Sequence, residues 1–160
     1  MNIFYLDKNP VDCAGYHCDK HVVKMILEYA QLLSTAHHVL DGPSAPKNIY
    51  KKTHINHPSA IWVRQSVINY CLLYELWTNL CEEYTFRFGK THLTETKLWK
   101  TNLLNLPPKN IPLIKKTEMP QCMPDACKVI GDPIQGYRNY YKKEKTHLHK
   151  WTNRKVPDWI

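Results

Sequence analysis

The sequence predicts an all-α fold: a single compact domain of three to five helices, two of them long, with a proline-rich crossing loop and a docked C-terminal tail. Three observations carry that reading. Apolar residues recur at alternating four- and three-residue steps between positions 17 and 40, a second helical run spans about 58–88, and Asn9-Pro10, His57-Pro58 and Asp132-Pro133 each place a capping residue before a proline suited to a first helical turn. At 160 residues the chain supports one core, burying roughly two-thirds of its unfolded surface. No internal repeat or low-complexity run is present.

Residues 2–6 (NIFYL) are short and apolar, a brief strand or an extended arm on the core. A helix begins at Asn9-Pro10, is loosened near Gly15, and continues as the 17–40 segment until Asp41-Gly42-Pro43 stops it. Val22, Ile26, Tyr29, Leu33, Ala36 and Leu40 form its buried stripe. A basic loop with Lys47, Lys51 and Lys52 follows. Asn56-His57-Pro58-Ser59 opens the second long helix, which ends at Gly89 and is apolar on more than one face, as a central helix is. Thr91 or Thr94 caps a shorter helix reaching about Leu106. Five prolines between 107 and 124 exclude a continuous helix or a central strand, leaving an irregular belt held by Ile111, Leu113, Ile114 and Met119. Asp132-Pro133 starts the last helix, to about Lys145, with Ile134, Tyr137 and Tyr141 inward, and Trp151 and Trp159 dock the tail.

Twenty-two basic against 14 acidic side chains give a formal charge of +8, which favours phosphate-bearing partners. The opening MNIFYLDKNPVD has neither a signal nor a transit pattern, and no apolar stretch is long enough to cross a bilayer. A soluble cytoplasmic protein without a membrane partner is expected, its six cysteines reduced. There is no GxSxG elbow, glycine-rich phosphate loop or closely spaced carboxylate pair in an apolar run, and no cofactor is expected.

Beside the buried stripe of the first long helix runs a polar series, His17, His21, Lys24, Glu28, Gln31, Thr35 and His38, which reads as the wall of a cleft. His17 and His21, aided by Lys20 and Lys24, are candidates for phosphate contact. With Cys18 they could instead hold a metal if His54, His57, Cys122 or Cys127 supplied a third ligand, but the spacings match no zinc motif and no metal is assigned. Glu28 is the best general base or electrostatic group; the plainer alternative is an i, i+4 ion pair with Lys24. Residues 136–155 mix Arg138, Lys142 and other cations with Tyr137, Tyr140 and Trp151, a combination that neutralises phosphates and stacks on bases. The alternative there is a core-facing aromatic stripe. THINHP, residues 53–58, puts His54 and His57 at the start of the second long helix, where anions collect. A simple cap by His57 is the bland reading.

The order of these elements, YHCDKHVVKMILEYAQLL, then IWVRQSVINYCLLYELWTNLCEEY, a proline-rich crossing, and GYRNYYKKEK with KWTNR, resembles a widely distributed type of small, uncharacterised phage protein. More distantly it is similar to the phage-type pyrimidine dimer DNA glycosylases of the endonuclease V-like fold. The latter resemblance implies a helical domain whose N-terminal amine attacks the sugar carbon of a damaged nucleotide, helped by a glutamate on the first long helix. That family's nucleophile is a threonine freed of the initiator Met, whereas Asn2 follows Met1 here. With His17 matched to the family's histidine, the glutamate's place falls on Lys24, and Glu28 lies one turn later.

The leading expectation is a small viral protein that binds a phosphorylated nucleoside, as a cyclic or linear nucleotide or a nucleic-acid strand. His17, Lys20, His21, Lys24, Gln31, His54, His57, Arg138 and Lys142 would contact it, and Tyr137, Tyr140 and Trp151 would stack on bases. Sequestering a host nucleotide signal is one use, and a homodimer could complete the pocket. The alternatives are a DNA glycosylase and abasic-site lyase, with Glu28 as the acidic group and an amine from Met1 or a lysine as nucleophile, and a helical protein-interaction module.

Overall fold

The computed structural model describes residues 1–160 and is all-helical, with no strand. Its α-helices are α1 (Pro10–Tyr16), α2 (Asp19–Leu40), α3 (Pro58–Gln65), α4 (Val67–Phe88) and α5 (Pro133–Glu144), joined by a single π-helical turn at Glu95–Trp99 and short 3₁₀ turns. Around α2 and α4 a core of 31 buried residues reaches from Ile3 to Trp151. α2 packs on α3 and α4, and α4 also packs on α1. No helix is long and apolar enough to cross a membrane, and all six cysteines are unpaired.

Three helix starts follow the expected chemistry, whereas the cap expected from Thr91 or Thr94 is not made: the Thr94 amide donates to His92 Nδ1 instead. Asn9 accepts from the Val11 amide, Asp132 from that of Gln135, and His57 Nδ1 from that of Ser59, each ahead of a proline. Gly89, at φ 63°, closes α4 in the left-handed conformation that suits glycine.

Both long predicted helices are divided. The first breaks at His17–Cys18, not by loosening at Gly15, because the Arg87 guanidinium donates to the Gly15 and His17 carbonyls and holds the end of α1 apart from α2. The second breaks at Ser66. That residue is extended, its hydroxyl caps the Ile68 amide and donates to the Ile114 carbonyl, and the Val67 amide donates to Pro112. The crossing belt therefore inserts its carbonyls where the helix would continue. The short helix expected to reach Leu106 is confined to one π turn, and Asn102 with φ 54° ends any helical path. In the belt Ile111 and Met119 are buried, but Leu113 and Ile114 point outward, since the backbone of this stretch is what docks on α3 and α4.

The predicted stripe of α2 is fully buried from Val22 to Ala36, with Leu40 half-buried. Met25, Ala30 and Leu32 are buried too, so α2 is covered over a wider arc than one stripe. The residues 2–6 are extended: Ile3, Phe4 and Leu6 are buried, and the Phe4 ring stacks on His21 at 4.1 Å. Trp151 and, half-buried, Trp159 seat the tail.

Candidate functional site

The histidine edge of α2 divides into a buried and an open part. His17 is fully buried, and its Nδ1 donates to the Cys13 carbonyl at 2.7 Å, so its Nε2 is left to accept from Tyr29 Oη at 2.9 Å. Tyr29 Oη in turn accepts from the Phe4 amide at 3.1 Å. Desolvation lowers the His17 pKa from 6.5 to about 4. His21 Nδ1 pairs with Tyr141 Oη at 2.6 Å, and burial, with His17, Lys145, Lys24 and His147 around it, brings its pKa to about 3. Both rings are neutral core polar groups, which corrects the expected phosphate contact. The arm and α5 cover them, and a tyrosine hydroxyl bonds one nitrogen of each ring.

The aromatic set is corrected in the same way. Tyr137 is fully buried, its hydroxyl 2.8 Å from both the Pro120 carbonyl and Asn2 Oδ1 and sharing its one proton between them, and Trp151 Nε1 donates to the Tyr16 carbonyl. Neither can stack on a base. Tyr140 is half-buried beneath Lys145 Nζ, 4.6 Å from its ring centroid. Arg138 is spent on the Leu6 carbonyl and the Asp7 carboxylate, and Lys142 is exposed on α5. No group of three or more His, Cys, Asp and Glu is arranged to hold a metal.

The remaining residues converge. The Met1 amine lies 3.6 Å from Glu28 Oε2, and Lys24 Nζ 3.4 Å from Glu28 Oε1. The Met1 side chain is only 3% exposed while the residue as a whole is half-buried, so what it presents to solvent is main chain. Asn2 sets this placement. Its side chain donates to the Cys122 carbonyl and accepts from the Ile3 amide and Tyr137 Oη, which clamps the arm one residue from the amine.

His57 faces the same couple. Its Nδ1 caps α3, leaving Nε2 as the position for the proton of the neutral ring, and its pKa is lowered by desolvation and then by the Met1 ammonium and His54, with Glu28 opposing. The loop bearing His54 is pinned by Thr35, whose hydroxyl accepts from the Thr53 amide, while His38 Nε2 donates to the Tyr50 carbonyl. Buried Thr35 and half-buried His38 therefore hold the 50–57 loop against α2, with half-buried Gln31 between Glu28 and Thr35. Lys24, Glu28, Gln31, His54 and His57 share one region; Met1 as the centre of it, and Asn2 as its clamp, have no periodic signal in the sequence.

A further cationic surface adjoins the couple. Lys145 and His147 of the tail lie within electrostatic reach of His21 together with Lys24, and exposed Lys20 and Lys150 border the same end of α2. A primary amine against a carboxylate, beside a polycationic face, can do covalent carbonyl chemistry on an anionic substrate. Comparison with known proteins finds no match: no family model, no curated protein and no solved structure matches this chain.

Proposed function

We propose that the protein is an amine-nucleophile DNA glycosylase and abasic-site lyase, with the Met1 amine as nucleophile and Glu28 as its proton-transfer partner. The observation that carries the reading is the 3.6 Å approach of the Met1 amine to Glu28 Oε2 at a position where the Met1 side chain is buried and its main chain is open. An amine must lose a proton before it can attack, and a carboxylate at this distance is placed to take it. The nitrogen adds to C1′ of an open-chain abasic sugar and water leaves, giving an iminium. With an intact damaged nucleotide the base is the leaving group instead. Glu28, having returned the amine's proton to the departing oxygen or base, takes a C2′ proton to give an enamine. The enamine's electrons re-form the C1′–nitrogen double bond and expel the 3′ phosphate as the C3′–O bond breaks. Water then hydrolyses the imine and frees the amine. Lys24 beside Glu28, and His57 and His54 opposite, provide donors for the flanking phosphates.

The test is borohydride trapping of a covalent complex on an abasic oligonucleotide, with intact mass identifying the residue that carries the free amine. The wild-type chain traps. Glu28→Gln lowers the trapping rate about 100-fold or more. One added residue before Met1 abolishes trapping, because the amine is carried away from Glu28. Trapping that survives the added residue but not Lys24→Gln moves the nucleophile to Lys24, and no trapping at all overturns the reading. Nucleotide binding without chemistry is the competing reading, supported by the same cationic face, and it predicts tight retention of intact nucleotide by Glu28→Gln and wild type alike.

A further inference from the structure

We propose that the groove at the N-terminal end of α2 binds a single-stranded segment flanking the attacked sugar, stacking one of its bases. The proposal rests on the lyase reading for the position of that sugar. The groove encloses about 740 Å³, within the roughly 300–1,000 Å³ of sites that take drug-sized ligands. Its lining combines apolar Val23, Phe88 and Leu148 with Lys20, Lys150 and the two histidines His147 and His149. Val23 is 44% exposed, on the same open face of α2 as Leu27.

Charge selects the occupant. Lys20 and Lys150 are exposed and in no ion pair, while the one carboxylate in the groove, Asp19, is taken up by Arg87 and by the Thr152 amide and hydroxyl. The net field is therefore positive. Apolar side chains set among lysines suit an unpaired base with its phosphates on the cations, whereas a duplex hides its base faces. Lys20, which lines the groove, shares an i, i+4 row of α2 with Lys24 and Glu28. Lys20 precedes Glu28 by two turns of α2, about 12 Å along the axis, with Lys24 midway. That distance is spanned by roughly two to four nucleotides, according to whether the strand is extended or stacked.

Fluorescence anisotropy with oligonucleotides carrying tetrahydrofuran, an abasic analogue without an aldehyde, tests this separately from the chemistry. Thymidines are added one at a time to the 5′ or the 3′ side. Affinity is expected to rise about tenfold within the first four nucleotides on one side and then level off, as one stacked base contributes. Val23→Asp and the pair Lys20→Gln with Lys150→Gln, all surface changes, remove that rise. No rise on either side, a rise indifferent to these substitutions, or tighter binding after hybridisation to a complement each overturns the groove. Trapping on an aldehydic oligonucleotide reports independently on the Met1–Glu28 couple, so a rise without trapping sinks the lyase reading alone, and trapping without a rise sinks the groove alone.

Discussion

His17 shows how burial reassigns a residue whose chemistry looks functional. The directed chain from the Phe4 amide through Tyr29 Oη to His17 Nε2, and from Nδ1 to Cys13, requires the neutral ring. A proton on Nε2 would remove the acceptor that Tyr29 uses. Desolvation by burial depresses the His17 pKa to about 4 in the folded state, against 6.5 unfolded. The unfolded chain binds the extra proton first, so this contribution is complete above pH 6.5 and is lost as pH falls towards 4. At about 1.4 kcal/mol per pH unit the loss is on the order of 3 kcal/mol. His21 acts in the same direction, reaching to about pH 3. Urea unfolding at pH 7.5, 6 and 5 is expected to give a falling midpoint, and His17→Gln, which keeps a donor and an acceptor, is expected to flatten the slope. An unchanged slope in that variant would show that other groups carry the acid sensitivity.

At the scale of the element, the starts of α1, α3 and α5 were readable because each is a local event: a side-chain acceptor, a proline, and the free amides behind them. The interruptions were not, since each depends on a partner far along the chain. Ser66 is the clearest case. Nothing within ten residues of it forbids a helix, yet the Ile114 carbonyl and the Pro112 carbonyl draw its hydroxyl and the next amide out of register. Ser66→Ala removes both the cap on α4 and the bond to the belt, with an expected cost of about 1–2 kcal/mol in chemical denaturation. Faster hydrogen exchange should appear at the Ile68 amide and along residues 112–117. Exchange unaltered there would mean that the belt is held by Asn69, which also binds Thr117, and not by Ser66.

On the scale of the whole molecule, one buried cation ties the ends of the chain to its middle. Arg87 is 3% exposed and donates to Glu83, Asp19 and the carbonyls of Gly15 and His17. Glu83 also receives Arg154, and Asp19 receives Thr152, so the C-terminal tail is bound through the same carboxylates. These pairings hold both acids below their ordinary pKa despite burial. Arg87→Ala leaves two buried carboxylates without their central partner, and a loss of about 3–5 kcal/mol is expected. Limited proteolysis should then release the segment after Lys150 before the body unfolds. A variant that lost stability without exposing the tail would separate the two roles.

The sequence by itself determined the all-helical class, the capped starts of α1, α3 and α5 and the buried stripe of α2 with a polar series beside it, because periodicity and capping act over one or two turns. Only the tertiary structure decided that His17, His21, Tyr137 and Trp151 are internal, and that the Met1 amine meets Glu28. Those outcomes depend on where an arm, a belt and a tail cross α2, and contacts between residues more than a hundred positions apart, such as Asn2 with Cys122 and Tyr137, leave no periodic trace in the chain.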